Sequence, residues 1–279
     1  MQDFLEIRPH LFTNIGLLVV VLAGSILLER FLRRRYSHVL EADQDAINAV
    51  AAAVLGVYGL IVGLTLAAAW DRYQQAEVAV YEETNSLFTV FRLSDTLPED
   101  LIAPMKVAVV EYGAAVAFGE LTGKNPDTID HAPGRKAMRA MYAIIAEAGG
   151  MSQPEANNVD ILGGITGEVI NLDRARGTRL TLEQQSLTRE FWIVLIIGAF
   201  FTLAAVIAVL PAHPGLHAFI TAGVTILMMA MLLLLRDLDL PFEGTQAVNP
   251  ENFRRGVAIL RSEGVESGVA MPELPVVAD

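Results

Sequence analysis

Glu82 and Glu83, with Asn85 close behind, put two carboxylates and an amide within one turn of chain. Such a group can ligate a cation or accept hydrogen bonds from guanidinium groups. The run DRARGTR supplies the latter as Arg174, Arg176 and Arg179, and pairing is the plainer of the two chemistries. Paired carboxylates do acid and base work only beside further positioned groups. No histidine, serine motif or glycine-rich phosphate loop stands near these, so the chain does not read as an enzyme. Asp237, Asp239 and Glu243 form a second acidic group, which suits either a cation or a solvated turn. The five histidines, His10, His38, His131, His213 and His217, show no ligand spacing. His213 and His217 are four apart, but the intervening Pro214 and Gly215 predict a loop, without the helical geometry that aims two imidazoles at one metal. Cysteine is absent, which removes thiolate ligands, thiolate nucleophiles and disulfides together. No metal or cofactor is expected.

The elements that must position these groups are mostly apolar. Residues 191–210 (FWIVLIIGAFFTLAAVIAVL) and 218–235 (AFITAGVTILMMAMLLLL) are parted only by PAHPGLH. Each run approaches the ~20 apolar residues that carry a helix across about 30 Å of hydrocarbon. A second pair, residues 11–28 and 46–70, flanks a basic stretch holding Arg30, Arg33, Arg34 and Arg35. The chain is 53% hydrophobic, with mean hydropathy +0.44, which is ordinary for a polytopic membrane protein. Its net charge of -12 lies almost wholly outside those runs, which argues against nucleic acid as a partner. MQDFLEIRPH lacks the basic start of a signal peptide, so the first run reads as a retained helix.

The fold class is therefore all-α: a polytopic membrane protein with two transmembrane helical hairpins flanking a helical extramembrane domain. The organisation is an N-terminal segment (1–10), helices one and two (11–70), the extramembrane domain (71–189) and helices three and four (190–235). A juxtamembrane turn with a short amphipathic helix (236–262) and a disordered tail (263–279) follow. In the middle region the second membrane helix continues without a break toward Pro98. Ser94 or Thr96 caps the next helix, which runs to about Leu121. A short helix spans residues 135–148, closed by Gly149 and Gly150. A last segment, interrupted at Gly163 and Gly164, returns to the membrane near Phe191. Asn249, Pro250 and Glu251 spell the start of the amphipathic helix carrying Phe253, Val257 and Leu260. The arginines near residue 30 place the 29–45 loop in the cytoplasm of a bacterium, and the N-terminus and residues 71–189 on the outer face of its plasma membrane.

Membrane-depth chemistry is sparse. No acid, base or histidine lies within 11–28, 49–70, 192–210 or 219–235. Ion-coupled transporters and pumps place an ionisable group at that depth, so this class is disfavoured. Gly56, Gly59, Gly63 and Thr65 on the second helix remain, with Thr202, Thr221 and Thr225 on the later two. The glycines, spaced three and four apart, make a smooth face for close helix packing, within the bundle or between subunits, or for lining a pore.

The segments LTLAAAWDRYQQAEVAVYEETNSLFTVFRLSDTLPE and LDLPFEGTQAVNPENFRRGV, set in this two-helix, polar-middle, two-helix order, resemble the bestrophin-like family of bacterial membrane proteins of unknown function. The matching positions are Asp71, Arg72, Tyr73, Glu82, Glu83, Asn85, Leu238, Asp239, Pro241, Phe242 and Gly244. The resemblance covers nearly the whole chain and reaches, more distantly, the bestrophins, pentameric anion channels with an apolar neck. It implies a homo-oligomeric ion channel in a lipid bilayer, with inorganic ions as partners. The chain departs from bestrophins in having glycine and alanine where their neck is rich in phenylalanine, and in showing no calcium-binding acidic cluster. The residues by themselves support an alternative, a non-conducting scaffold or sensor whose extramembrane helices bind a protein or small ligand.

Overall fold

A computed structural model describes residues 16, 19–28, 30–31, 44–122, 129–151, 156–209, 214–242 and 247–275. Among them every regular element is helical: α1 (Val19–Leu28), α2 (Gln44–Leu93), α3 (Glu99–Ala115), α4 (Ala132–Met151), α5 (Ala156–Gln184), α6 (Arg189–Ala208), α7 (Pro214–Asp239) and α8 (Glu251–Glu266). The N-terminal segment 1–10, Arg33 to Arg35, His10, His38, His213, Glu243 and Gly244 lie outside the described residues. The chain divides into two compact units, Met1–Asp71 with Ser186–Asp239, and Arg72–Gln185 with Leu240–Asp279.

The first unit holds α1, the first half of α2, α6 and α7, with α6 packed on α7. Tyr58 ties α2 to α6. Its ring lies where a Cβ on Gly198 would fall 2.7 Å from two ring carbons, and its hydroxyl donates to the Leu195 carbonyl at 3.1 Å. Only glycine admits the ring so close. Large apolar side chains cover the outer surface of this unit: Leu60, Leu64, Phe200 and Phe219 are 61–77% exposed. Soluble monomers do not display such a surface, and a bilayer supplies the apolar solvent it requires.

Among the described residues four helices are long and apolar enough to cross a membrane, but one belongs elsewhere. The most apolar stretches of α2, α6 and α7 are only 17–22% buried within the chain, whereas the corresponding stretch of Glu99–Glu120 is 56% buried. That helix also carries Lys106, Glu111 and Glu120. It is the core helix of the second unit, packed by α4 and α8. Leu87, Met105, Val109, Met141, Ile165 and Leu172 are 0–1% exposed around it. The α8 helix adds Phe253, Val257 and Leu260, each at most 1% exposed, and burying each contributes about 1.5–3 kcal/mol.

Local structure departs from the sequence reading at several points. The α2 helix runs unbroken for 50 residues, about 75 Å, and ends in a 3₁₀ turn at Ser94–Thr96. Ser94 and Thr96 do not cap α3; their hydroxyls turn back to the Phe91 and Leu93 carbonyls, each at 2.6 Å. Pro98 occupies the N-cap position of α3 without a side-chain bond. The α4 helix continues through Gly149 and Gly150, and α5 through Gly163 and Gly164. A glycine costs a helix interior about 1 kcal/mol, which packing offsets. The α5 and α6 helices are separated at residues 185–188 instead of running together into the membrane. The α7 helix starts at Pro214, so His217 is helical and 3% exposed, and the loop expected there is corrected; proline suits a first helical turn. The tail expected to be disordered from Glu263 is ordered through residue 275. The α8 helix reaches Glu266, Met271 and Leu274 pack on the core, and Arg261 Nε donates to the Pro272 carbonyl at 2.8 Å. Two apolar side chains docked on a preformed surface outweigh the Gly, Pro and Glu content that suggested disorder.

Candidate functional site

Glu83 sits in the apolar face of α2 among Ala76, Ala79, Val80, Leu87 and Val90, and is itself 0% exposed. On α3 the corresponding row is Val109, Tyr112 and Val116, continued to Glu120 by a wider turn over Val116–Glu120. There the Leu121 N–H reaches the Val116 carbonyl at 2.8 Å, five residues back. Such π-turns recur at functional sites, and this one is where Glu120 enters the interior, 2% exposed. On α5 the row Ile165, Val169 and Leu172 continues into Arg176, Arg179 and Glu183, at 3%, 1% and 7% exposure.

These three rows converge on one buried cluster. Arg179 donates through Nε to Glu83 Oε2 at 2.6 Å and through Nη2 to Glu83 Oε1 at 3.2 Å. The same Nη2 donates to Glu120 Oε2 at 2.6 Å. Arg176 Nη2 donates to Glu120 Oε1 at 2.7 Å and to the His131 carbonyl at 3.3 Å. The Tyr112 hydroxyl donates to Glu83 Oε1, and the Arg176 guanidinium lies 5.5 Å over the Tyr112 ring. His131 Nδ1 is 3.5 Å from Glu120 Oε2. The two guanidiniums balance the carboxylates of Glu83 and Glu120, and that balance makes a buried charged cluster tolerable.

Burial alone would lower the Arg179 pKa, but the Glu83 and Glu120 carboxylates outweigh it and hold the guanidinium charged well above its ordinary range. Burial, then the Glu83 charge, pushes the Tyr112 phenol far up, so it remains a donor. Burial also raises the Glu183 carboxyl above its ordinary value of 4.5, against the opposing pull chiefly of Arg179. A carboxyl raised by folding contributes stability below its unfolded pKa that is lost as pH climbs through the folded one. The protein is therefore expected to lose part of its stability as pH rises above 4.5. Glu183→Gln should flatten that part of the curve in thermal unfolding followed across pH.

Gly134, in the first turn of α4, is the floor of the cluster. A Cβ there would fall 2.6 Å from Glu120 Oε1 and 3.0 Å from Arg176 Nη2. These side-chain ends are held by charge-assisted bonds and cannot swing aside cheaply. Gly134→Ala is expected to destabilise the protein by about 1–3 kcal/mol, read as a lowered unfolding temperature in detergent, whereas Gly177→Ala on α5, with open space at its Cβ, should not.

Of the residues singled out by sequence, the structure brings Glu83, Arg176 and Arg179 together. Glu82, Asn85 and Arg174 are exposed, the last with its guanidinium on Asn171 at 3.2 Å. Tyr112, Glu120, His131, Gly134 and Glu183 were not anticipated. A charged residue in phase with an apolar helical row is the signal that could have found Glu183.

On α2 in the first unit, a Cβ at Gly56, Gly59 or Gly63 would meet nothing within 4 Å among the described residues. Beside these glycines Val57, Leu60 and Leu64 are 60–65% exposed. Thr65 is instead 8% exposed, on the side of Tyr58, Val62 and Ala69, with its hydroxyl on the Ile61 carbonyl at 2.7 Å. Asp71 is exposed and Arg72 half-buried. Tyr73 packs on the core of the second unit, its phenol raised by burial and then by Glu77. Asp239 is 4% exposed: one oxygen accepts the Leu187 N–H at 2.8 Å and the other the Trp192 indole N–H at 3.4 Å. It thus fastens the entry of α6 to the end of α7 and does not stand in a solvated turn. Pro241 and Phe242 are buried, and the Pro241 carbonyl accepts the Val248 N–H at 2.8 Å.

A family model described as a Bestrophin-like domain matches residues 15–253. The fold is similar to that of a bacterial bestrophin homologue from Klebsiella pneumoniae, with TM-score 0.69 at 13% identity, covering 90% of this chain and 99% of that one. A substitution variant of the Klebsiella homologue gives TM-score 0.69 at 12% identity, covering 87% and 98%. A crystal structure described only as a membrane protein variant gives 0.70 at 13% identity, covering 92% and 99%. No curated protein matches the chain in sequence.

Proposed function

The chain belongs to the bestrophin-like family, and from that premise we propose that it assembles as a homo-oligomeric ion channel in the bacterial plasma membrane. One observation carries this reading. The α2 glycine face has no neighbour within 4 Å among the described residues, although such a face is suited to close helix approach. Subunits arranged around an axis would seat it, with Gly56, Gly59 and Gly63 at the contact or along the path. The buried cluster at Glu83 then holds the continuation of the same helix in register outside the membrane. Charge-free membrane helices suit a pore gated by apolar constriction better than an ion-coupled carrier.

Light scattering of the purified protein together with potassium and chloride flux from reconstituted liposomes tests the proposal. Selective flux from a closed ring of subunits supports it. A well-folded assembly without flux favours instead a membrane scaffold or sensor acting through the second unit, where three helices converge on buried charge. For orientation, the arginines near residue 30 support a cytoplasmic position for residues 29–45. A reporter fused after Lys124, outside the described residues, should then read as periplasmic; a cytoplasmic signal inverts the topology.

A further inference from the structure

The first unit contains a half-open cavity of about 490 Å³ between α1, α6 and α7. Its walls are Val21 on α1, Ile196 and Phe200 on α6, and Met228, Met229 and Leu232 on α7. The one hydroxyl on the wall, that of Thr225, is engaged with the Thr221 carbonyl at 2.7 Å. The interior of the cleft therefore offers dispersion contacts and little hydrogen bonding. Methionine walls adapt to a flexible chain.

One end of the cleft has different chemistry. Arg236, in the last turn of α7, lines it and is exposed, and Trp192, in the first turn of α6, lies beside it. The indole N–H of Trp192 is turned to Asp239, whose other oxygen accepts from Leu187, so the nearby carboxylate is engaged with its own helix junction. Tryptophan and arginine at the ends of membrane helices mark the level where hydrocarbon gives way to headgroups. A cation thus stands at headgroup depth over a slot with the polarity of an acyl chain.

We propose that this cleft is a binding site for an anionic phospholipid, with one acyl chain between α1, α6 and α7 and the headgroup phosphate on Arg236. A guanidinium pairs with a headgroup phosphate through charge-assisted hydrogen bonds. The site does not depend on conduction, so it stands or falls separately from the flux experiment.

The test is native mass spectrometry of the purified full-length protein titrated with phosphatidylglycerol or phosphatidylcholine of identical acyl chains. One lipid-facing cation should favour the anionic lipid about fivefold. Arg236→Gln, an exposed change, should erase that preference while leaving weak retention of both lipids. Met229→Trp, which fills the cleft, should reduce retention of both. Each variant is checked for its unfolding temperature, and Leu232→Phe replaces Met229→Trp if that protein does not fold. Equal retention of the two lipids by the unaltered protein, or an undiminished preference after Arg236→Gln, overturns the proposal. So does a cleft occupied by a second copy of the chain, seen as cross-linking of a Met229→Cys variant.

Discussion

Arg179→Met is expected to lower the unfolding free energy by about 3–5 kcal/mol, the usual effect of removing one member of a buried ion pair. Methionine occupies much of the same space but, among the described residues, leaves Glu83 with only the Tyr112 hydroxyl and Glu120 with only Arg176 and the edge of His131. Two carboxylates would then share one guanidinium in an interior where each is at most 2% exposed. Thermal or chemical unfolding of the detergent-solubilised protein reads the loss. Combining Arg179→Met with Glu83→Gln should be less damaging than the sum of the single changes, because the second removes the charge that the first orphans. A single variant that unfolds with the unaltered protein would show that the cluster does not hold α2, α3 and α5 together.

Gly59→Leu is expected to break the assembly while leaving the subunit folded. Nothing within 4 Å among the described residues opposes a Cβ at this position, so the isolated chain accommodates it. A bulky side chain in a close helix contact costs about 1–3 kcal/mol at each subunit interface, and a ring multiplies that by its number of interfaces. Light scattering should report a smaller particle at unchanged unfolding temperature, and liposome flux should fall toward the protein-free level. Gly59→Ala should do less. Unchanged mass and flux would remove this face from both interface and pore. The two changes separate fold from assembly: Arg179 acts inside one unit, and Gly59 on a surface the chain leaves open.

The membrane helices were legible because their signal is local: long uncharged apolar runs at 46–70, 191–210 and 218–235 underlie α2, α6 and α7. The unbroken passage of α2 was legible too, since no glycine or proline intervenes between Gly63 and Pro98. Part of the buried cluster could be seen in the same way, as carboxylates at 82 and 83 and arginines at 174, 176 and 179. Which of each pair turns inward could not. Glu82 and Glu83 are adjacent and differ by about 100° around the helix, so a small shift in phase decides which is buried. Glu120 was harder, because a wider turn changes the phase of its helix just before it. Gly149, Gly150, Gly163 and Gly164 misled for the converse reason: helix propensity is a weak local preference that tertiary packing overrides.

By itself the sequence determined the class of solvent each segment requires, because apolar length and the absence of charge are properties of a segment and need no partner. It determined an all-helical membrane chain, and through its two motif segments the bestrophin-like family. Only the tertiary structure decided that Glu99–Glu120, as apolar as a span, is a core helix. It also decided that Asp239 joins the entry of α6 to the end of α7, that Arg179 joins Glu83 to Glu120, and that Gly134 makes room for Arg176. Each of these depends on residues far apart in the sequence meeting in space, such as Glu83 and Arg179, 96 positions apart. A charge is stabilised in an interior only by the partner that the packing brings to it.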